Sequence, residues 1–319
     1  MILDGSKRHE YLKALLDQCK KPRNGLKRFF MASGGVCFLF AAWLAFSFSG
    51  IGTVSDAVEG APLSAYDCSA VPQSVIDDAA RLAKELYGDS RGQYEKFVNQ
   101  LVATYAQAHD KDFLILFSPG GWGGSLAENS ADWWSILTGI ESELGESGYT
   151  SLALNYQRTI NTLQGRLNEL KEMATGYSAK ATELAYRVKF LTSNNPDLKV
   201  ILAGESTGTV ICDDAMDLLK ENSRVFSIQT GSPFWHRSER LVRTLQINSN
   251  GIVPDSFSEG KIGTMLFATL KSWVSPAPKG EGTILNFLTA PGHEYWWQNQ
   301  IVYTQIENFL KKNFGIKSS

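Results

Sequence analysis

The chain has 319 residues, 43% of them hydrophobic, with 31 basic and 33 acidic side chains and a formal net charge of −2. That length holds one sizeable domain with a short appendage and enough apolar surface for a core, while the balanced charge lacks the basic excess of a nucleic-acid binder. Cys19, Cys37, Cys68 and Cys212 form no CxxC pair and His9, His109, His236 and His293 no helical ligand spacing, which argues against a disulfide framework or a metal site built from Cys and His.

Residues 1–28 form the first predicted element, a basic helix with Tyr11, Leu12, Leu15 and Leu16 on one face. From Phe29 to Ser55 no residue is charged, and Phe38 to Phe46 is strongly apolar. About 20 apolar residues suffice to cross a bilayer as a helix. Lys20, Lys21, Arg23, Lys27 and Arg28 precede this run, whereas Asp56, Glu59 and Asp67 follow it. The charge bias predicts a single-pass anchor at 29–55, with a cytoplasmic N-terminus and the remainder outside the cytoplasm. A cleaved targeting segment, which would leave a soluble protein, is the competing reading. A linker rich in Gly, Ser and Ala follows, then two helices near Ser74–Tyr87 and Gln93–His109, so that 56–110 reads as linker plus helical segment. Of the cysteines expected outside the cytoplasm, Cys68 and Cys212, the second is expected to point into the core, and no disulfide between them is predicted.

From residue 111 strands and helices alternate. Phe113–Phe117 is a buried strand ending in Ser118-Pro119-Gly120-Gly121-Trp122-Gly123-Gly124. A helix near Ala131–Leu144, a strand at Ser151–Tyr156 and a long helical region from Thr159 to Ser193, interrupted at Gly176, come next. Lys199–Gly204 is the next strand and Thr207–Lys220 the next helix; Val225–Thr230, Thr244–Asn248 and Ile284–Thr289 complete the strands before a terminal helix near Trp297–Phe314. The predicted fold class is therefore α/β, a mostly parallel sheet flanked by helices, preceded by one transmembrane helix and a short helical segment.

Gly204-Glu205-Ser206-Thr207-Gly208 matches G-x-S-x-G between a strand and a helix. The motif places a serine on a sharp, strained turn, with the next helix aiming its N-terminal amides at the reacting centre. An ordinary strand–turn–helix connection is the bland alternative. With the glycine-rich loop after Phe117, the element order and Gly292-His293 ahead of the last helix, the chain resembles the α/β-hydrolase superfamily over roughly residues 110–315, which implies a catalytic domain at 111–319. The resemblance implies that Ser206 is the nucleophile, that Thr207 supplies one oxyanion-hole amide, and that Gly121 or Trp122 supplies the other. A phosphate cradle is the competing use of such a loop, but neither G-x-G-x-x-G nor a P-loop signature is present.

The superfamily order places an acid and then a histidine after the serine. His293 matches the catalytic position, while His236, at the outlet of an earlier strand, is the alternative and would otherwise line the pocket. The acid belongs after Thr244–Asn248, where Asn248-Ser249-Asn250-Gly251-Ile252-Val253-Pro254-Asp255 resembles a segment of secreted lipases but carries Gly251 in the expected aspartate position. Asp255 can serve if the loop folds back; as a turn former or helix cap it would leave a Ser–His dyad. The implied activity is ester hydrolysis through an acyl-enzyme, and the loop tryptophans with the anchor favour a small-molecule or lipid ester as partner. A catalytically silent scaffold tethered to the membrane is the rival from another class.

Overall fold

Runs in which almost every residue is apolar become the centre of one parallel sheet, because burial on both faces removes the need for alternation. The computed structural model describes residues 70–88, 91–121, 130–156, 169, 172–173, 176–236, 241–274, 281–284 and 288–316. Its strands are β1 (Phe113–Ser118), β2 (Ser151–Asn155), β3 (Lys199–Glu205), β4 (Val225–Thr230) and β5 (Thr244–Ile247), in the order β2-β1-β3-β4-β5 with every pairing parallel. β1 and β4 are buried along their whole length, whereas the edge strand β2 is half-buried.

Alternate side chains of each strand enter different cores. Leu114, Leu116, Val200 and Leu202 join one cluster. Phe113, Ile115, Phe117, Ile201 and Ala203 join the other. The first core is covered by α1 (Gln73–Tyr87), α2 (Arg91–Ala108), α4 (Ser178–Asn194) and α5 (Gly208–Leu218), the second by α3 (Ala131–Glu146) and α7 (Gln300–Phe314). Val75, Ala79 and Leu82 of α1 and Phe97 and Leu101 of α2 lie in the same cluster as Leu114 and Leu202. The boundary read at residue 110 is therefore not a boundary in packing: the two helices before β1 complete the domain's core.

Two further elements depart from the sequence reading. Ile284–Thr289 is not a single strand. β6 (Glu281–Ile284) and β7 (Leu288–Pro291) form a separate antiparallel pair, Ile284 opposite Leu288. A connection of three residues turns a chain back on itself, while parallel pairing needs a long crossover. Between β5 and this hairpin lies α6 (Ile262–Val274), an element the sequence reading did not include. Among the described residues no helix is long and apolar enough to cross a membrane; the span predicted at 29–55 lies outside the described residues.

Candidate active site

The chain leaves β3 at Glu205 and enters α5 at Gly208, so Ser206 and Thr207 alone make the corner. Ser206 has φ +50°, a left-handed conformation costing a non-glycine residue roughly 1–2 kcal/mol. Hydrogen bonds hold it there. Its N–H donates to the Thr230 carbonyl at 2.9 Å, and its carbonyl accepts from the Thr209 N–H at 3.0 Å and Thr209 Oγ1 at 2.7 Å. At Gly208 a Cβ would sit 2.0 Å from the Ser118 carbonyl oxygen, so only glycine lets the helix start this close to β1. Ser206 Oγ is buried and has no hydrogen-bond partner among the described residues. Buried polar groups are nearly always paired, and exceptions at a strained corner mark functional positions.

Beside this corner stands the outlet of β1, paired through Ser118 with Gly204. Thr207 Oγ1 donates to the Gly121 carbonyl at 3.4 Å, which brings two of the residues expected at an oxyanion hole together. The third, Trp122, lies outside the described residues. Glu205 was not singled out by the sequence, yet it organises the loop. Its Oε2 accepts the Gly120 N–H at 2.8 Å and Ser130 Oγ at 2.6 Å, so one carboxylate oxygen holds residues near both ends of the glycine-rich segment. The Gly120 amide is thereby engaged.

At the neighbouring strand outlets, Asp255 and His293 meet although 38 residues separate them, with His293 Nδ1 2.8 Å from Asp255 Oδ2. The loop after β5 folds back as this requires. Asn250 Oδ1 accepts the N–H groups of Ile252 and Val253 at 2.9 and 3.1 Å, and Ser249 pairs antiparallel with Pro254. Gly251, where an aspartate was expected, occupies this turn, and Asp255 returns behind it. Asp255 is also a turn former: Oδ1 accepts from Phe257 N and Ser258 N at 2.8 and 3.1 Å, and Oδ2 from Ser258 Oγ at 2.9 Å. The histidine contact and the turn-forming bonds coexist, because a carboxylate has acceptor capacity for both. Tyr295 Oη adds a further donor to Oδ2 at 2.7 Å.

His293 is buried and packs against Gly231, where a Cβ would lie 2.5 Å from its Cε1. Gly231 follows Thr230, the residue whose carbonyl holds the Ser206 amide, which places the histidine on the serine's side of the sheet edge. Burial alone would lower the His293 pKa, but the hydrogen bond and charge of Asp255, with the charges of Glu205 and Asp132, raise it above its ordinary value. Burial pushes Asp255 the other way, upward; the His293 hydrogen bond and charge, with Tyr295 and Ser258, outweigh it and hold Asp255 below the usual carboxylate value. An ionised carboxylate only accepts, so the proton sits on His293 Nδ1 and Nε2 is the basic nitrogen of the neutral ring.

A second acid lies close by. Asp132, at the start of α3, accepts from Trp133 N and Tyr295 N, both at 2.9 Å. Burial and then the charge of Glu205 push it up to about 7. Tyr295 thus joins two carboxylates, through its backbone and its hydroxyl. His236 is paired separately: its Nε2 lies 3.1 Å from Asp213 Oδ2 on α5. Trp133 is a core side chain whose Nε1 donates to Thr230 Oγ1 at 2.8 Å. Among the described residues no group of three or more His, Cys, Asp or Glu is placed to hold a metal ion.

No family model and no curated relative matches the chain. Several solved structures are similar to the chain at low identity. A Trichoderma reesei cutinase in complex with a phosphonate inhibitor is 14% identical, with 56% of this chain and 78% of that chain covered and a TM-score of 0.32. A cutinase-like protein from Cryptococcus sp. is 17% identical, with 65% and 96% covered and a TM-score of 0.39. A putative α/β hydrolase of unknown function from Agrobacterium tumefaciens is 16% identical, with 50% and 70% covered and a TM-score of 0.27. The chain's own architecture is a parallel sheet flanked by helices, with the serine corner after β3, the central strand of that sheet.

Proposed function

We propose that this protein is a membrane-anchored serine hydrolase that cleaves carboxylic esters, with Ser206, His293 and Asp255 as its catalytic residues. One observation carries the reading: a strained serine with a buried, unpartnered hydroxyl stands at the same sheet edge as a buried histidine–aspartate pair. Ser206 Oγ attacks the ester carbonyl while His293 Nε2 takes its proton, and Asp255 stabilises the resulting imidazolium. The amides of Thr207 and of Gly121 or Trp122 receive the oxyanion at the positive end of α5. His293 returns the proton to the leaving alcohol. Water, deprotonated by the same nitrogen, then attacks the acyl carbonyl, and His293 returns that proton to Ser206 Oγ as the carboxylic acid leaves. No step calls for a cofactor. The Asp255–His293 contact supports an active enzyme over a silent scaffold, since the acid that Gly251 lacks is supplied four residues later.

The uncharged run at 29–55 supports a single-pass anchor that leaves the catalytic domain outside the cytoplasm. The test of activity uses the full chain in detergent with a fluorophosphonate probe and a short-chain aryl ester. Covalent labelling on Ser206 and its competition by the ester are expected. A folded protein that neither labels nor hydrolyses a panel of esters would favour the scaffold.

A further inference from the structure

Helix α6 stands between the acid and the base in sequence, and it is apolar on the wrong side for a surface helix. Its inner face is accounted for. Met265, Ala268 and Thr269 are buried, Met265 packs with Phe257, Ile284 and Ala290, and Thr269 Oγ1 accepts the Thr289 N–H of β7 at 2.9 Å. The outer face is not. Ile262, Leu266, Phe267, Leu270 and Trp273 are 51, 42, 72, 54 and 61% exposed. At 100° per residue these five span an arc of roughly 140°. No acidic residue occurs in the helix; its one charge, Lys271, is exposed, as is Lys261 just before it.

We infer that the outer face of α6 lies in the interface of a lipid bilayer and sets the mouth of the Ser206 site against lipid, which deepens and rests on the proposed hydrolase reading by making the substrate an ester dissolved in a membrane. The apolar surface is continuous with the site. Phe257, packed beneath α6, meets His293 edge-on at 5.0 Å and the half-exposed Trp235 at 5.2 Å. On the turn that delivers Asp255, Ile252 and Val253 are exposed as well. An exposed apolar patch of this extent marks an interaction surface. A helix with bulky aliphatic and aromatic residues on one side and lysine at its border matches the chemistry of the headgroup–acyl boundary. The chain itself supplies the bilayer. The uncharged run ends at Ser55, and the 15 residues from Asp56 to Ala70 reach at most about 50 Å when extended, so the domain cannot leave the membrane's neighbourhood.

The test uses the full chain reconstituted in vesicles of phosphatidylcholine and phosphatidylglycerol, with some lipids brominated at shallow acyl positions. The signal of Trp273 is the fluorescence lost in Trp273→Phe, which removes the background of the other tryptophans. Quenching of that signal by brominated lipid is expected, together with its loss in the double variant Leu266→Glu, Phe267→Glu. The same double variant should hydrolyse a bilayer-dissolved ester at least tenfold more slowly relative to a water-soluble one, with its unfolding curve in detergent as the control for folding. Absence of quenching in an active, reconstituted protein would overturn the inference. So would shielding of Trp273 from both brominated lipid and aqueous acrylamide with cross-links between copies, which would make a second copy the occupant. Quenching without hydrolysis of any ester would leave the docking face standing and remove the hydrolase reading.

Discussion

Among the described residues are two histidine–carboxylate pairs, and they differ in what surrounds them. His293 lies 2.8 Å from Asp255 and His236 3.1 Å from Asp213. Both histidines are raised above their ordinary pKa by the partner carboxylate, against the opposing effect of burial. Both carboxylates accept other bonds: Asp213 Oδ1 from Gln229 Nε2 at 2.6 Å, Asp255 from Ser258 and Tyr295. The first pair uses Nδ1 and sits against Gly231 beside the Ser206 corner. The second uses Nε2 and joins the loop after β4 to the side of α5, five residues beyond the helix start. A histidine–carboxylate bond by itself is thus a clamp between elements. It becomes a chemical device only next to a group whose proton it can take.

The comparison is broken most severely at the serine. Ser206→Ala is expected to lower kcat by about 10⁶, as deletion of a nucleophile acting within a unit does, and adding His293→Ala should cost little more. Ser206→Gly should be equally inactive yet more stable by about 1 kcal/mol, because glycine accepts φ +50° without strain. Ester hydrolysis and urea unfolding curves check both. An unstabilised glycine variant would show that the corner holds no strain.

Next in size, the two acids should separate the two pairs. Asp255→Asn should reduce kcat by about 10⁴, the cost of disturbing the tautomer in a comparable triad. Asp213→Asn should leave kcat within about threefold, since its histidine has no reacting partner. Equal losses in the two variants would place His236 in the chemistry.

A smaller effect tests the sharing of Asp255 Oδ2. In the wild type, kcat/KM should rise with pH through the raised pKa of His293, because the general base must be neutral. Tyr295→Phe removes one donor from that oxygen, concentrates negative charge opposite Nδ1, and should move the rise to still higher pH while the plateau falls less than about tenfold. A purely structural tyrosine would lower the plateau without moving the profile.

The smallest expected change concerns stability alone. The pKa of His236 is raised in the folded state, so the stabilisation is fully present below its unfolded value, near 6.5, and is lost as pH rises through the folded value. His236→Gln should therefore flatten the decline of stability above about pH 6.5 and cost roughly 1 kcal/mol at lower pH. Thermal unfolding between pH 5 and 9 measures it, with hydrolysis unchanged.

Several features were legible in the sequence because they depend on short-range physics. The strands of the sheet show as apolar runs, since burial on both faces leaves no room for polar alternation. The corner at Ser206 shows because such a turn needs small neighbours at fixed offsets. The α/β class follows from the alternation of such runs with helical periods. Other features had no local signal. Asp255 reads equally well as a turn former, and only the fold of 249–254 brings it to a histidine 38 residues away. Glu205, Asp132 and Tyr295 acquire their roles from the separate segments they touch, Gly120 and Ser130 for the first, and each other's neighbourhood for the rest. The antiparallel β6–β7 pair and α6 were hidden for a related reason. Periodicity records which side of an element is buried, and α6 buries one side while leaving the other apolar and exposed. What the sequence determined by itself is the sheet and its serine corner, where each residue's environment is set by its immediate neighbours. What tertiary structure decided is the contact of Asp255 with His293 and the Tyr295 hydroxyl, because hydrogen bonds between distant segments exist only once the sheet has brought their loops to one edge.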